Sequence, residues 1–428
     1  MEYKIKNFEL LARDEKRRTV LSIAEEGLRA IDTRNYVSKN VSFEDDVLRV
    51  KENTFALKKA KRVFVVAVGK NAAESSLVFE DLLGERLSGG IVLDVNFVEE
   101  PKKLKIFQGT HPFPSPTNRE ATQVIISLLK DLNEDDCVIF LISGGGTVLL
   151  SLGDTSVSDE SDVIRALFKK GATIEELNIV RKHLSIARGG FLAQYAYPAK
   201  VISLISSDVF GNNLGTIASG PTVKDETTIS SAKEILKNYD LSEIISSLSF
   251  IETPKEDIYF KKVSNTLFIS NEVALKAMEK KAKEIRLFPR IVTSALKGEA
   301  SQVGESIAKS IKNLPTANVL LYGGETTVTI SENHGEGGRN QELALGALNF
   351  IDERSVLVAI NSDGRDNTAY AGALCDMMTL KKAQTLGLKP ESFLSSHSSR
   401  AFWEKTEDFI YTGATGSNLS DFVIALKY

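Results

Sequence analysis

Short apolar runs rich in Val, Ile and Phe recur along the chain and alternate with segments of helical period. Each run is too short for a helix of a globular protein, so each predicts a buried strand. Strands that alternate with helices predict an α/β protein with mainly parallel sheets. The predicted strands are Val63–Val68, Ile91–Val95, Val138–Ile142, Val201–Ile205, Leu267–Ser270, Ile291–Thr293, Val319–Tyr322 and Val356–Ile360.

Apolar residues spaced by three and four predict a helix from Ile174 to Leu184, and Thr173 with Glu176 matches a capping box at its start. A preceding helix is predicted over Asp162–Lys170. The 428 residues indicate two domains, with three as the alternative. A polar, Ser-rich stretch over 239–262 is the predicted connection, which places the domains at 1–240 and 241–428.

Composition excludes several classes of protein. The net charge of -4 gives no general reason to expect nucleic acid or an anionic membrane surface as a partner. No apolar run approaches the roughly 18 residues of a membrane span, and the charged N-terminus lacks the apolar core of a signal peptide. Two cysteines are too few for a disulfide framework, so a cytoplasmic location is expected. The oligomeric state stays open, with a homodimer as one candidate.

Glycine, hydroxyl and charged residues follow five of the predicted strands directly. Because ligands of α/β proteins bind at the carboxyl ends of parallel strands, the five coincidences together predict a ligand site. The five segments are Gly69-Lys70-Asn71, Ser143 to Thr147, Ser206-Ser207-Asp208, Gly323-Gly324-Glu325-Thr326 and Asn361-Ser362-Asp363-Gly364.

The loop Ser143-Gly144-Gly145-Gly146-Thr147 is the strongest single signal. Glycines let backbone N–H groups close around an anion, and a following helix adds the partial charge of its N-terminus. The alternative is a flexible turn from strand to helix. No G-x-x-x-x-G-K-[ST] pattern is present, which excludes a standard P-loop, and no convincing G-x-G-x-x-G follows a strand.

Two cations stand out. Lys70 lies at a predicted helix N-terminus, where the helix dipole disfavours a cation, so we interpret it as functional rather than merely solvated. Arg339 follows three glycines between residues 335 and 338 and precedes Asn340, and its planar fork matches phosphate oxygens. A solvated Arg at a helix start is the alternative.

Four acids that lie just past predicted strands are candidates for holding Mg2+ or for accepting a hydroxyl proton. Each is equally well explained as a helix N-cap or as an acid in the first turn of a helix. They are Asp208, Glu325, Asp363 and Asp366. Weaker signals read more readily as structure: the turns Ser219–Thr222 and Thr412–Asn418, His111, and the cluster Arg181-Lys182-His183, which suits compensation of a helix dipole.

Taken in order, these motifs resemble the class II glycerate kinases, also called MOFRL-type glycerate 2-kinases, over nearly the whole chain. The segments that carry the resemblance are AVGKNA, HPFPSPTN, LISGGGTVLL, IVRKHLS, GGFLA, SSDVFGN, IASGPT, YGGETTV, GEGGRNQELAL, NSDGRDNTA and TGATGSN.

The resemblance implies an N-terminal Rossmann-like domain with a largely parallel sheet, a C-terminal α/β domain, and an active site in the cleft between them. It implies ATP and Mg2+ or another divalent cation as cofactors, D-glycerate as substrate and 2-phosphoglycerate as product, as in the non-phosphorylating Entner–Doudoroff degradation of sugar acids.

Residue by residue, the resemblance makes Lys70, Arg339, Asp208 and Asp363 the catalytic candidates, with the two aspartates also candidate metal ligands. The candidates for binding substrate or nucleotide are Ser143, Gly144, Gly145, Gly146, Thr147, Gly324, Glu325, Thr326, Asn340 and Asn418.

Three departures from the family pattern concern metal details and acceptor range. Thr147 replaces the usual Ser, Asn212 stands where an acid is usual, and Ala369 stands where the last acid of the later turn is expected. Two rival functions stay open: an NAD(P)H-dependent hydroxypyruvate reductase, disfavoured by the missing dinucleotide fingerprint, and a sugar-phosphate-binding regulator without chemistry.

Overall fold

The computed structural model describes residues 3–96, 101–207, 210–330 and 334–428. Its strands are, in chain order, β1 Val41–Glu44, β2 Val47–Val50, β3 Asn53–Ala56, β4 Arg62–Val68, β5 Gly89–Asp94, β6 Leu104–Gln108, β7 Asp136–Ile142, β8 Lys200–Ser207, β9 Val263–Ser270, β10 Phe288–Leu296, β11 Asn318–Gly324, β12 Ser355–Asn361, β13 Gly372–Asp376, β14 Phe409–Ile410 and β15 Asp421–Lys427.

The α-helices include two very short ones, α1 and α6. They are α1 Phe8–Leu11, α2 Glu15–Ala30, α3 Thr33–Asn40, α4 Ala72–Leu83, α5 Pro116–Lys130, α6 Gly146–Leu149, α7 Val157–Lys169, α8 Ile174–Lys182, α9 Phe191–Ala196, α10 Ile229–Asn238, α11 Asn271–Glu284, α12 Ala300–Lys312, α13 Arg339–Leu348, α14 Met377–Thr385, α15 Pro390–Ser395 and α16 Ser399–Thr406. Across the parts of the chain that the structure covers, no helix has the length and apolar character needed to span a membrane.

The chain forms two compact units. The first, the parallel-sheet unit, comprises Tyr36–Ser207 and Asn212–Ile269. Its main sheet has the order β6-β5-β4-β7-β8-β9, and the pairs from β6 through β8 are parallel. Every residue of β7 is buried, as expected for a parallel strand covered on both faces. The predicted parallel sheet is therefore confirmed in this unit.

The second, mixed-sheet unit comprises Ser270–Tyr428 and the chain up to Asn35. Its sheet has the order β10-β11-β15-β12-β13-β14, and only β10 and β11 pair in parallel. The prediction of mainly parallel sheets is wrong here, because β15 was not among the predicted strands. This strand lies at the centre of the sheet and pairs antiparallel with both neighbours.

The predicted domain boundary at 240/241 does not coincide with the boundary of either unit. Residues 241–262 stay with the parallel-sheet unit and lead into β9, which extends that unit's main sheet. Helix α2 instead belongs to the mixed-sheet unit, because it packs against α11 and the strands β12 and β15. An amphipathic helix joins the unit whose apolar surface it covers, whatever its position in the sequence.

Helix starts in the parallel-sheet unit follow local sequence signals. The capping box at α8 is confirmed: Glu176 N–H donates to the Thr173 hydroxyl over 3.3 Å, and Thr173 N–H donates to the Glu176 carboxylate over 2.8 Å. Helix α7 begins five residues earlier than predicted, because Ser156 caps it by accepting from Asp159 N–H. A small antiparallel sheet of order β1-β2-β3 had no counterpart among the predicted strands.

Candidate functional site

In the parallel-sheet unit, two predicted loops meet at one edge of the sheet. Strands β4 and β7 pair in parallel with Val68 opposite Ile142, so their carboxyl ends are adjacent. Lys70 N–H donates to Gly144 O over 2.8 Å, and the Ser143 hydroxyl donates to Lys70 O over 2.7 Å. The lysine loop and the glycine loop are thus joined by one hydrogen bond between main-chain groups and one from the Ser143 side chain.

Two glycines are required by this close approach. Gly69 has φ 128°, and a Cβ there would lie 2.8 Å from the carbonyl carbon of Ser143. Gly145 has φ 83°, and a Cβ there would lie 3.2 Å from Cγ of Lys70. Any larger residue at either position would be strained by its backbone angle. The stem of Lys70 therefore lies across the bare backbone of Gly145.

The glycine loop presents unused donors. The backbone N–H groups of Gly144 and Gly145 have no hydrogen-bond partner among the residues described, although Gly144 is buried. Orphaned buried N–H groups are rare and indicate a partner from outside the chain. The helix that follows, α6, spans only Gly146–Leu149, so its dipole contributes less than the sequence analysis expected.

The hydroxyls that flank the glycines are already engaged. Besides the bond from Ser143, Thr147 Oγ1 lies 3.1 Å from Ser219 Oγ. Because Ser219 donates to Asn178 Oδ1 over 3.4 Å, Thr147 must be the donor to Ser219. The hydroxyl proton of Thr147 thus braces the loop against the Ser219–Thr222 turn rather than being free for a ligand.

Positive charge gathers beside the loop. In the covered part of the chain no carboxylate pairs with the ammonium of Lys70. A Cβ at Gly145 would lie 3.5 Å from Cδ2 of His111, so the imidazole adjoins the loop as well. Although His111 is exposed in part, desolvation and the charges of Lys70 and Arg181 lower its pKa to about 4. The imidazole is therefore neutral at physiological pH.

Arg181 is a further candidate for binding an anion, although the sequence alone suggested that it compensates a helix dipole. Burial and the nearby Arg188 lower the pKa of Arg181 to about 10, which still leaves it charged. The next two residues have structural partners. Lys182 forms an ion pair with Asp225 at 3.0 Å, and buried His183 contacts Ile251 O at 3.0 Å. The signal that could have found it is the IVRKHLS segment itself.

In the mixed-sheet unit, Arg339 at the start of α13 is held by two carboxylates. Its Nε donates to Asp421 Oδ2 over 2.5 Å and Nη2 donates to Asp421 Oδ1 over 3.1 Å. Nη2 also lies 2.9 Å from Glu325 Oε1. Antiparallel pairing causes this meeting, because it sets Gly324, the last residue of β11, opposite Asp421, the first of β15.

The electrostatics of this cluster are coupled. Burial opposes the charge on Arg339, but Asp421 and Glu325 raise its pKa, so it stays protonated. Burial, with Glu325 and Asp366 nearby, raises the pKa of Asp421 against the pull of Arg339. Of the guanidinium nitrogens, Nη1 has no hydrogen-bond partner in the stretches that the structure covers. Arg339 therefore offers an anion less of its fork than the sequence suggested.

Two acids of the later turn serve the backbone. Buried Asp366 accepts from the N–H groups of Asn340 and Gln341 at 3.1 and 2.9 Å, so it binds the start of α13 from a distant turn, while the N-cap residue itself is Gly338. Asp363 Oδ1 accepts from Arg365 N–H at 2.7 Å. Asn340, predicted to bind a ligand, is 1% exposed and directs its amide to Asp366.

The remaining predicted residues of this unit lie along the same edge of its sheet. Gly324 ends β11 with φ 137°, and Thr326 is buried two residues later. Asn418 is half-buried on the loop before β15, which is tied to the β12 end by Leu419 N–H donating to Ser362 Oγ over 2.8 Å. Ala369 is exposed on its turn.

The metal prediction is not supported by a ligand set. Asp208 lies outside the described residues. Among residues 3–96, 101–207, 210–330 and 334–428, no three His, Cys, Asp or Glu side chains approach closely enough to hold a metal ion. These residues therefore form no metal site built from protein ligands alone. Mg2+ seldom needs such a site, because it usually binds one or two carboxylates together with the phosphates of the substrate.

Comparison with known proteins defines the family. Residues 19–249 match a family described as a domain of unknown function (DUF4147), and residues 318–421 match the MOFRL family. The chain is 36% identical to a glycerate 2-kinase of Pyrococcus horikoshii over 95% of this chain and 96% of that protein. The chain belongs to the glycerate 2-kinase family.

A solved structure agrees. The crystal structure of a glycerate kinase from Thermotoga maritima matches with a TM-score of 0.83 and 31% identity, covering 96% of this chain and 99% of that chain. A protein of Agrobacterium vitis that is 36% identical over 84% of this chain carries hydroxypyruvate reductase as a provisional name. The glycerate 2-kinase resemblance and the two-domain α/β class are thus confirmed.

Proposed function

We propose that this protein transfers the γ-phosphoryl group of ATP to the 2-hydroxyl of D-glycerate. One observation carries the proposal: in a chain of the glycerate 2-kinase family, the unpaired N–H groups of Gly144 and Gly145 lie beside Lys70, which pairs with no described carboxylate. Such a combination of amides and a cation binds phosphate oxygens.

In this proposal catalysis comes from positioning and electrostatics, because in-line phosphoryl transfer requires little covalent chemistry from the protein. The glycine amides and Lys70 hold the transferring phosphoryl group, and Arg181 adds positive charge near the same loop. Neutral His111 adds no charge but is available to donate or accept one hydrogen bond. Thr147 keeps the loop in shape through Ser219.

Arg339 is the second functional cation of the proposal. Asp421 and Glu325 fix the plane of its guanidinium, which leaves Nη1 for an anion of the reaction. Substitution Arg339→Ala distinguishes the two candidate anions. A rise in KM for glycerate assigns Arg339 to the acceptor carboxylate, whereas a fall in kcat at unchanged KM assigns it to the transferring phosphoryl group.

Asp363 or Asp208 accepts the proton of the attacking hydroxyl. The same two aspartates are the candidates that would hold Mg2+, which would neutralise charge on the phosphate oxygens. The proposal also places the protein in the cytoplasm, in the non-phosphorylating degradation of sugar acids, and keeps a homodimer as its candidate assembly. Cys137 and Cys375 are free buried thiols, which suits a reducing compartment.

The test is phosphorus NMR of the product formed from D-glycerate and ATP. We expect 2-phosphoglycerate and ADP in equal amounts. A 3-phosphoglycerate signal would overturn the choice of hydroxyl while leaving the kinase activity in place. Rapid oxidation of NADH with hydroxypyruvate, without any ATP-dependent product, would instead support the reductase.

A further inference from the structure

A cavity of about 450 Å³ opens beside the glycine loop, wholly within the parallel-sheet unit. It lies between α7, α8 and the loop that follows His111, and its lining is mostly apolar. The side chains that define it are Phe113, Ile164, Phe168, Ile174, Leu177 and Arg181. Its volume falls within the range of pockets that bind small molecules.

The cavity adjoins the phosphate-binding loop through shared residues. Pro112 lines it and directly follows His111, whose ring adjoins Gly145. Val148, from the turn of helix after the glycines, forms another part of the wall. Arg181 lines the cavity and also lowers the pKa of His111. A ligand bound in the cavity could therefore extend to the glycine loop.

The walls suit a flat aromatic group. Phe113 is 47% exposed, and the guanidinium of Arg165 lies over its ring at 4.2 Å. Phe168 is 72% exposed. Exposed aromatic faces and a stacked arginine are the groups on which proteins stack nucleobases. Phe113 and Phe168 line the same mostly apolar cavity, and a contiguous exposed apolar surface of this kind marks a binding site for a ligand or a partner.

The lining joins a mostly apolar wall to three cations, Arg165, Lys169 and Arg181, which suits a ligand with both an apolar ring and several negative charges. Glu160 is buried and already bonded to Arg188 at 2.6 Å, and Ser161 donates to Val157 O at 2.7 Å. Glycerate has three carbons, each bearing oxygen, so it gains nothing from an apolar cavity. The cavity therefore suits the phosphoryl donor rather than the acceptor.

We propose that this cavity binds the adenine base of the nucleoside triphosphate, with Phe113 and Phe168 as stacking surfaces and with Arg181 at the passage to the glycine loop. The inference rests on the proposed function, transfer from ATP, and adds the place of the base. The phosphates reach the amides of Gly144 and Gly145, while the base stays between α7 and α8.

The test compares ATP with inorganic tripolyphosphate, which has the phosphates and lacks the base. Calorimetric titration gives the Kd of each without turnover. The double variant Phe113→Ala/Phe168→Ala should weaken ATP binding about tenfold and leave tripolyphosphate binding unchanged. Ser161→Trp, which fills the cavity, should abolish ATP binding and spare tripolyphosphate. Phe288→Ala, at a 68% exposed phenylalanine of the other unit, is the matched control.

Unchanged ATP binding in both cavity variants would overturn the proposal, as would equal losses for ATP and tripolyphosphate. A change of oligomeric state on removing Phe113 and Phe168, with ATP binding intact, would also overturn it and assign the surface to a second copy. If the wild type binds ATP through the cavity yet phosphorylates no glycerate, the inference stands and the proposed function fails.

Discussion

Lys70 and Arg339 look alike in the sequence, because each is a cation that follows glycine and precedes a predicted helix. Their surroundings differ. Lys70 pairs with no described carboxylate, and its stem lies across Gly145 next to unpaired amides. Arg339 is held by Asp421 and Glu325 before any ligand arrives. The parallel-sheet unit thus leaves the charge of Lys70 available to a ligand, whereas carboxylates in the mixed-sheet unit orient the guanidinium of Arg339.

The largest effect is expected from removing Lys70, the cation that pairs with no described carboxylate. Lys70→Ala should lower kcat/KM by about 10²–10³-fold, because no other group replaces a donor that acts on the transition state. Steady-state kinetics with D-glycerate and ATP measures the loss. Lys59→Ala, at an exposed lysine of the same unit, should leave the rate unchanged. Activity within threefold of wild type for Lys70→Ala would show that the unpaired charge of Lys70 does not act on the transition state.

The next largest effect is expected from removing a carboxylate partner of Arg339. Asp421→Asn should lower the free energy of unfolding by about 2 kcal/mol, because the partly buried Arg339 loses a charged partner. Urea denaturation measures this change. Glu325→Gln, at a 47% exposed side chain, should cost less than about 1 kcal/mol. Equal losses for the two variants would show that Asp421 is not the principal partner.

A smaller effect is expected from removing the hydroxyl of Thr147, which bonds to Ser219 and holds the glycine loop. Thr147→Val removes the donor to Ser219 and should cost about 1 kcal/mol of transition-state stabilisation, a roughly fivefold loss of kcat/KM. Thr147→Ser keeps the donor and should stay within twofold of wild type. If both variants behave alike, the hydroxyl does not brace the loop.

The smallest effect concerns His111 and is a shift in titration rather than in rate. NMR titration of the imidazole should give a pKa near 4 in the free protein. Tripolyphosphate should raise it, because a bound anion offsets the charges of Lys70 and Arg181. Since the folded pKa lies below the ordinary value of about 6.5, the contribution of neutral His111 to stability is present above that pH and is lost as the pH falls towards 4.

A His111→Asn variant checks the sign of that linkage. Its free energy of unfolding should fall less steeply than that of the wild type as the pH drops from about 6.5 to 4, because the variant lacks the group that takes up a proton on unfolding. A steeper fall in the variant would contradict the lowered pKa.

Local sequence was enough to determine several features of this protein. The capping box at Thr173, the buried strands β4 and β7 and the glycine loop all follow from short patterns whose physics is local: hydrogen bonding at a helix end, burial of continuous apolar runs, and the conformational freedom of glycine. The succession of motifs also carried the family resemblance.

The tertiary structure decided the rest, because pairing between distant segments follows no local pattern. Only the antiparallel insertion of β15 brings Asp421 to Arg339, and that insertion makes the second sheet mixed instead of parallel. Only the packing of α8 brings Arg181 to His111 while Lys182 turns to Asp225. Lys70 and Arg339 were both visible in the sequence, but which of them is left uncompensated depends on carboxylates placed by strand pairing.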